Sequence, residues 1–338
     1  MRSVPPASQL LHPEQIARLR QRSDGWGLWL VVHAWGTIAA AMALAALWPN
    51  PLTWLLAVAV IGSRQLGLLI LMHDGAHGML ARTPRLNRLL GLALCAWPVF
   101  ADMDVYRRYH LQHHAHTMQA GDPDLILTGH YPIPRSSLAR KLRRDLTGMT
   151  GLAQRRAQWR EALGPPEAPL EARLRRLWQA IGPALLANAA LCSALALTGY
   201  WYFYPLLWLL PLLTWQQMVL RVRNIAEHAA LPALDHEGTD ALRIARTTLA
   251  NPLERLFVAP YWVNYHLEHH LAMWVPCYRL AACRRMLEAN GHAARLLTTR
   301  GYRAVLREAT VPDGAAPTPP TRRERAVGTF SGGYRAEG

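Results

Sequence analysis

Two long stretches of this sequence, Gly25 to Ser63 and Leu177 to Leu220, contain no Asp, Glu, Lys or Arg. Each is about twice the roughly 20 apolar residues that cross a bilayer, so each reads as a hairpin of two spanning helices, not as the core of a soluble domain. Acidic residues are scarce, 22 against 37 basic ones in 338 residues, for a net charge of +15. No nucleic-acid module accompanies that excess, so membrane topology and anionic lipid account for it and no nucleic-acid partner is expected. The four cysteines, Cys95, Cys192, Cys277 and Cys283, have no CxxC spacing, which argues against a disulfide framework and predicts free thiols. Met1 to Arg22 lacks the apolar run and cleavage site of a signal peptide. No haem, flavin or iron–sulfur motif is recognisable, and no segment is left to house a fused redox domain.

Trp48-Pro49-Asn50-Pro51 and Thr198-Gly199-Tyr200-Trp201-Tyr202 mark the hairpin turns and place aromatics at interfacial depth. Neither turn carries a charge. Apart from Arg64, every Lys and Arg lies before, between or after the hairpins, so the positive-inside rule puts those segments and both termini in the cytoplasm. The expected order begins with a cytoplasmic segment at 1–24 and a transmembrane hairpin at 25–73, its helices running from about Gly25 to Leu47 and Leu52 to His73. A first cap segment follows at 74–176, then a second hairpin at 177–220, with helices from about Trp178 to Leu197 and Tyr200 to Leu220. A second cap segment at 221–310 and a disordered tail at 311–338, rich in Pro, Gly and Arg, complete the chain. Residues 86–100 are apolar but too short to cross upright, and read as a re-entrant or interfacial helix. Arg64, inside the second span, should face protein in a structural pairing, for instance with a carboxylate. The fold class is an all-α integral membrane protein: four transmembrane helices in two hairpins beneath a helical cytosolic cap.

Against this background stand nine histidines in clusters: His73 and His77; His110, His113 and His114; lone His228; and His266, His269 and His270. Residues at i, i+3 and i+4 share one face of a helix, and the segments HDGAH, HLQHH and HLEHH have that spacing. Nine imidazoles are too many for one tetrahedral site and suit two metal ions with four or five each, leaving a position for oxygen. Imidazole serves zinc, copper, iron and nickel, so ligand type alone does not name the metal. His73 and His77 end helix two and His228 follows helix four, so all nine can meet on the membrane-facing side of one cap, where a metal centre can reach an acyl chain in a tunnel. Asp74, Asp122, Asp124 and Glu227 lie near the histidines in sequence and are candidates to orient them, with Asp74 and one of Asp122 or Asp124 preferred. His116 sits off the ligand face, as an outer partner or a surface residue. His12, His33, His130, His236 and His292 stand outside the pattern.

HDGAH (His73 to His77), HLQHH (His110 to His114), RNIAEHA (Arg223 to Ala229) and NYHLEHH (Asn264 to His270) resemble, in order and spacing, the histidine boxes of the membrane fatty acid desaturase superfamily. The resemblance covers roughly Gly62 to Leu280. It implies a mushroom-like fold of four transmembrane helices under a cytosolic cap. It also implies a di-iron centre that activates oxygen and abstracts hydrogen from an unactivated C–H bond, and an Asn that completes the site through a water, here Asn224. Asn224 and His228, at i and i+4, share a helix face, which is consistent with that role.

Oxygen activation consumes electrons that this chain has no group of its own to carry. A separate donor is expected, a ferredoxin, a rubredoxin or a b-type cytochrome with its reductase. The basic cap, Arg107, Arg108, Arg140, Arg143, Arg144, Arg155 and Arg156 among others, faces anionic lipid or docks that acidic carrier. The expected activity is desaturation of a lipid acyl chain by two Fe ions and molecular oxygen, with zinc able to load overproduced protein. The alternative on the same scaffold is a lipid hydroxylase or a carotenoid ketolase or hydroxylase. A structural zinc protein or metal transporter is disfavoured, since the hairpins hold almost no ionisable residues.

Overall fold

The structure, a computed structural model, describes residues 5–231 and 241–314; His236 and the tail beyond 314 lie outside the described residues. Eight helices position the histidines: α1 (Asp24–Leu47), α2 (Pro51–Ala76), α3 (Pro84–Val99), α4 (Met103–His116), α5 (Met149–Leu163), α6 (Leu170–Leu197), α7 (Trp215–His228) and α8 (His266–Leu271). Two short parallel pairings tie the cap together, Ile133–Pro134 with Thr310–Val311 and Thr247–Leu249 with Thr298–Arg300. Val311, the first residue of the expected tail, is thus paired within the cap.

Local chemistry sets the helix starts. The Ser23 hydroxyl accepts from the Trp26 amide at 3.3 Å to begin α1. Asn50 accepts from the amides of Leu52 and Thr53 at 3.0 and 3.1 Å to begin α2, and Pro51 fills a first-turn position that needs no N–H. Helices α1, α2 and α6 are each long and apolar enough to cross a bilayer. Their outward faces leave Val32, Leu55 and Leu186 exposed, as lipid contact requires. Trp54 stacks on Tyr202 with ring centroids 6.4 Å apart, so both charge-free turns lie at one end of the bundle, and the histidine-bearing end of α2 lies at the other.

The expected fourth helix, Tyr200 to Leu220, is not continuous. A π-helical stretch, Tyr204–Leu209, and a short turn, Leu210–Leu213, lead to a kink at Thr214 (φ −121°, ψ −85°), after which the chain resumes as α7. Pro205 and Pro211 supply the cause, because each removes an amide donor and crowds the preceding turn. Among the described residues, three uninterrupted helices therefore meet the length and hydropathy of a span. Helix α6 begins after Pro169, so Glu171 to Arg176 form its polar end, and α2 continues past His73 to Ala76.

Helix α3 packs so closely on α2 that a β-carbon on Gly75 would stand 3.3 Å from the Gly91 Cα. It ends at Phe100 in a left-handed conformation (φ 58°) and bends by 95° into α4, returning the chain to the histidine end of α2. Arg64 faces protein, 4% exposed. Its guanidinium donates to the carbonyls of Leu256 at 2.6 Å and Arg255 at 3.3 Å and lies 5.5 Å from the Tyr261 ring centre. Backbone oxygens and an aromatic face thus take the place of the anticipated carboxylate. All four cysteines are free.

Candidate metal centre

Asp102 caps α4, its Oδ1 accepting from the amides of Asp104 and Val105, both at 2.8 Å, and so fixes the register from which His110, His113 and His114 project. His73 and His77 come from the end of α2, His228 from the end of α7, and His266, His269 and His270 from α8. The fold brings all nine together as two groups: His73, His77, His110, His114 and His269; and His113, His228, His266 and His270. Within each group the ligand atoms lie within 4.8 Å of one another.

The division follows the helix repeat. In HLQHH the first and last histidines, His110 and His114, join the group of five and the i+3 residue, His113, joins the group of four. In HLEHH the first and last, His266 and His270, join the group of four and His269 crosses to the five. Each box therefore gives an i, i+4 pair to one group and its i+3 member to the other.

Hydrogen bonds at the far side of the rings settle the tautomers. His113 Nδ1 donates to Asp122 Oδ1 at 2.7 Å, His228 Nδ1 donates to the Ile244 carbonyl at 3.1 Å, and His266 Nδ1 faces Glu227 Oε1 at 3.3 Å. With the protons on Nδ1, the Nε2 lone pairs converge, and a cation between them is the electrostatic complement. In the group of four, His228 and His266 Nε2 are 2.8 Å apart, His266 and His270 3.0 Å, and His113 and His270 3.3 Å.

In the group of five, the Nε2 atoms of His73, His110, His114 and His269 form a closed four-sided figure with sides of 2.9, 2.9, 3.0 and 3.0 Å. For metal–imidazole bonds of about 2.0–2.1 Å, right-angled neighbours stand roughly 2.9 Å apart and tetrahedral ones roughly 3.3 Å. The figure therefore has the spacing of right-angled neighbours, not of a tetrahedral site. His77 supplies the fifth nitrogen, and its buried Nε2 has no hydrogen-bond partner. The donor set thus fits two metals, with five imidazoles offered in the first group and four in the second.

Burial holds His110, His228, His266, His269 and His270 well below the ordinary histidine range, with neighbouring imidazoles adding to the effect. Burial likewise lowers His77 strongly and pushes His114 down to about 3. Neutral rings are the metal-binding form. His113 runs the other way: burial is the largest influence and favours its neutral form, but the carboxylates of Asp122 at Nδ1, Asp124 and Glu227 together outweigh it and raise His113. Burial pushes Glu227 up to about 7, opposed by Arg223, whose Nε donates to it at 2.6 Å.

The other candidate residues are placed as follows. Asp124 Oδ2 is 3.6 Å from His113 Nδ1, and the Tyr109 hydroxyl donates to its other oxygen. Asp74 Oδ1 is 3.6 Å from His73 Nδ1, while its Oδ2 accepts from the Cys277 amide at 2.8 Å. Asn224 is half-buried on α7, one turn before His228. His116 packs against Gly121 in the loop after α4, and His33 Nδ1 lies 3.0 Å from the Tyr261 hydroxyl. Two partners left no mark in the sequence: the Ile244 carbonyl, and the Thr117 hydroxyl 3.3 Å from His270 Nδ1. Tyr106, stacked on His110 with centroids 5.0 Å apart, likewise carries no mark in the sequence. Of the cap arginines, Arg107 donates to the Ala76 carbonyl and Arg155 to that of Phe100 at 3.3 Å.

A cavity of about 990 Å³ opens beside the centre. Its inner limb is apolar, walled by Leu66, Leu69 and Ile70 of α2, Leu220 of α7, and Tyr261 and Val263. Leu66 lies seven residues before His73, roughly 10 Å deeper along the helix. The outer limb, between α4, α5 and α6, mixes Arg108, Glu161 and Arg176 with Val105, Ala162 and Ile181. His73, His266 and His269 line the cavity together with both limbs.

Residues 49–301 match the family model described as fatty acid desaturase. Dihydrorhizobitoxine desaturase of Bradyrhizobium elkanii is 29% identical over 264 residues, covering 76% of this chain and 74% of the relative. Zeaxanthin 4-ketolase of Chlamydomonas reinhardtii is 27% identical over 270 residues, covering 77% of this chain and 50% of that relative.

Proposed function

Since the chain belongs to the fatty acid desaturase family, we propose that it is a membrane-bound, oxygen-dependent di-iron desaturase that introduces a double bond into the acyl chain of a lipid. The cavity carries this reading: one space joins a deep apolar limb to an outer limb that bears charged groups, with His73, His266 and His269 on its wall. An acyl chain with a polar head is the substrate shape that satisfies both limbs.

The two histidine groups would hold one iron each, and Asn224, one turn before His228, would complete the second site. Bound there, the iron pair supplies oxygen activation and the abstraction of hydrogen from an unreactive C–H bond. In the net reaction the substrate loses two hydrogens, while one O2 takes up these, two electrons and two protons to give two waters. The electrons come from a separate carrier, a ferredoxin, a rubredoxin or a b-type cytochrome with its reductase. Asp122, Glu227 and the Ile244 carbonyl hold His113, His266 and His228 in the tautomer that presents Nε2 inward. The metal centre and both termini lie on the cytoplasmic side, where the basic residues concentrate.

The ketolase relative supports a second reading, oxygenation of a carotenoid ring or lipid on the same scaffold. Expression in a host of known lipid composition, followed by mass spectrometry, separates the two. Loss of two hydrogens from an acyl chain is expected; gain of oxygen with no new double bond would replace this reading with the second.

A further inference from the structure

The outer limb of the cavity carries charges of both signs that do not neutralise one another. Arg108 on α4, Glu161 on α5 and Arg176 on α6 all line it. Among the described residues, none of the three pairs with another side chain, although ion pairs form elsewhere on the same cap, as between Arg175 and Glu171 at 2.8 Å. Two amides stand beside them. Gln158, one turn before Glu161, gives its Nε2 to the Phe100 carbonyl at 2.8 Å, which leaves its Oε1 buried and without a donor. Gln179 lies one turn beyond Arg176.

The geometry points to a head-group subsite for a zwitterion: an apolar chain whose head bears a cationic and an anionic group close together. This rests on the acyl-chain reading above and names the class of head. Glu161 and the unpaired Gln158 Oε1 are acceptors a single helical turn apart and suit an ammonium. Arg108 and Arg176 approach from the other two helices and suit a carboxylate or phosphate, which guanidinium donors match. A purely anionic head meets Glu161, a purely cationic head meets two guanidiniums, and an uncharged head leaves the charges unanswered. An α-amino acid head and a phosphoethanolamine head share the required chemistry.

Binding to the full-length protein in detergent micelles tests this without turnover. The probes are single-chain amphiphiles of one chain length, with α-amino acid, phosphoethanolamine, carboxylate, ammonium or hydroxyl heads, competed against a fluorescent fatty acid. At least one zwitterion should bind more tightly than every other head, and the tighter of the two identifies its source. Glu161→Gln should weaken that zwitterion and the ammonium probe by up to about fivefold, the scale of an exposed ion pair, and strengthen the carboxylate. Arg176→Gln should do the reverse for the single-charge probes, with both variants keeping the parent melting temperature. A hydroxyl, carboxylate or ammonium head binding as tightly as the tighter zwitterion, or an order of affinities that neither variant changes, overturns the subsite and leaves the acyl reading standing. Failure of every chain to bind overturns both.

Discussion

His113 Nδ1 stands 2.7 Å from Asp122 Oδ1, with both side chains buried, whereas Asp124 holds off at 3.6 Å from the same nitrogen. Only Asp122 makes the contact that fixes the ring and strengthens it as a ligand. Asp122 Oδ1 also accepts from the Asp124 amide at 2.9 Å, and its Oδ2 from the Met118 amide at 2.7 Å, so the carboxylate is itself held. Asp122→Asn should lower metal affinity on the order of 10–100-fold, read as metal retained against a competing chelator. Asp124→Asn should retain metal as the parent does. Equal losses from the two variants would refute the distinction.

The unequal histidine groups give a second test. His77→Ala leaves four imidazoles in the first group, while His266→Ala leaves three in the second. Metal per chain should therefore fall more readily in His266→Ala, toward one ion, although both variants should lose oxygen-dependent activity. Metal counted by elemental analysis at equal chelator concentration decides it. Two ions retained by His266→Ala would contradict the grouping.

How much of this was legible beforehand differs by residue. The boxes named the histidines, and i, i+3, i+4 geometry put each box on one helix face. That face, however, straddles the two histidine groups, and the crossing of His113 and His269 to opposite groups depends on how α4 and α8 meet. The charge-free stretches located α1 and α2 because Asn50 and Pro51 lie at the turn between them. They misplaced the start of α6, where Pro169 sets the helix and charge does not. They also ran a single helix through Pro205 and Pro211, whose effect on amide bonding was readable but was outweighed by the apolar run. The Ile244 carbonyl was beyond reach, since every residue has one and only the tertiary fold aims it at His228.

Gly67 lies against Tyr261 so closely that a β-carbon there would stand 2.6 Å from the ring's Cε2. The ring cannot easily retreat, because Tyr261 already holds a left-handed backbone (φ 52°) and its hydroxyl is engaged with His33. Gly67→Ala should cost about 1–3 kcal/mol, the usual scale of overpacking, and lower the thermal midpoint. Tyr261→Ala in the same chain should remove much of that penalty, so the two changes should be non-additive by about 0.5–3 kcal/mol. Additive midpoints would mean that the clash is relieved elsewhere.

Asp145 is fully buried and accepts from Arg221 Nε at 2.5 Å and Arg221 Nη2 at 2.9 Å, joining the cap helix Arg135–Leu146 to α7. Helix α7 also carries Asn224 and His228, so this pair helps to hold the second histidine group in place. Removing one partner strands the other, a loss of about 3–5 kcal/mol for a buried pair. Arg221 is partly exposed, so Asp145→Asn should fall near or below the low end of that range. Replacing both residues removes the stranded charge: Asp145→Asn with Arg221→Met should recover part of the lost thermal midpoint. If the pair acts only on stability, the recovered protein should also regain metal at the second group. Recovery of the midpoint without recovery of the metal would instead mean that Arg221 positions His228 through α7, a role that packing alone cannot replace.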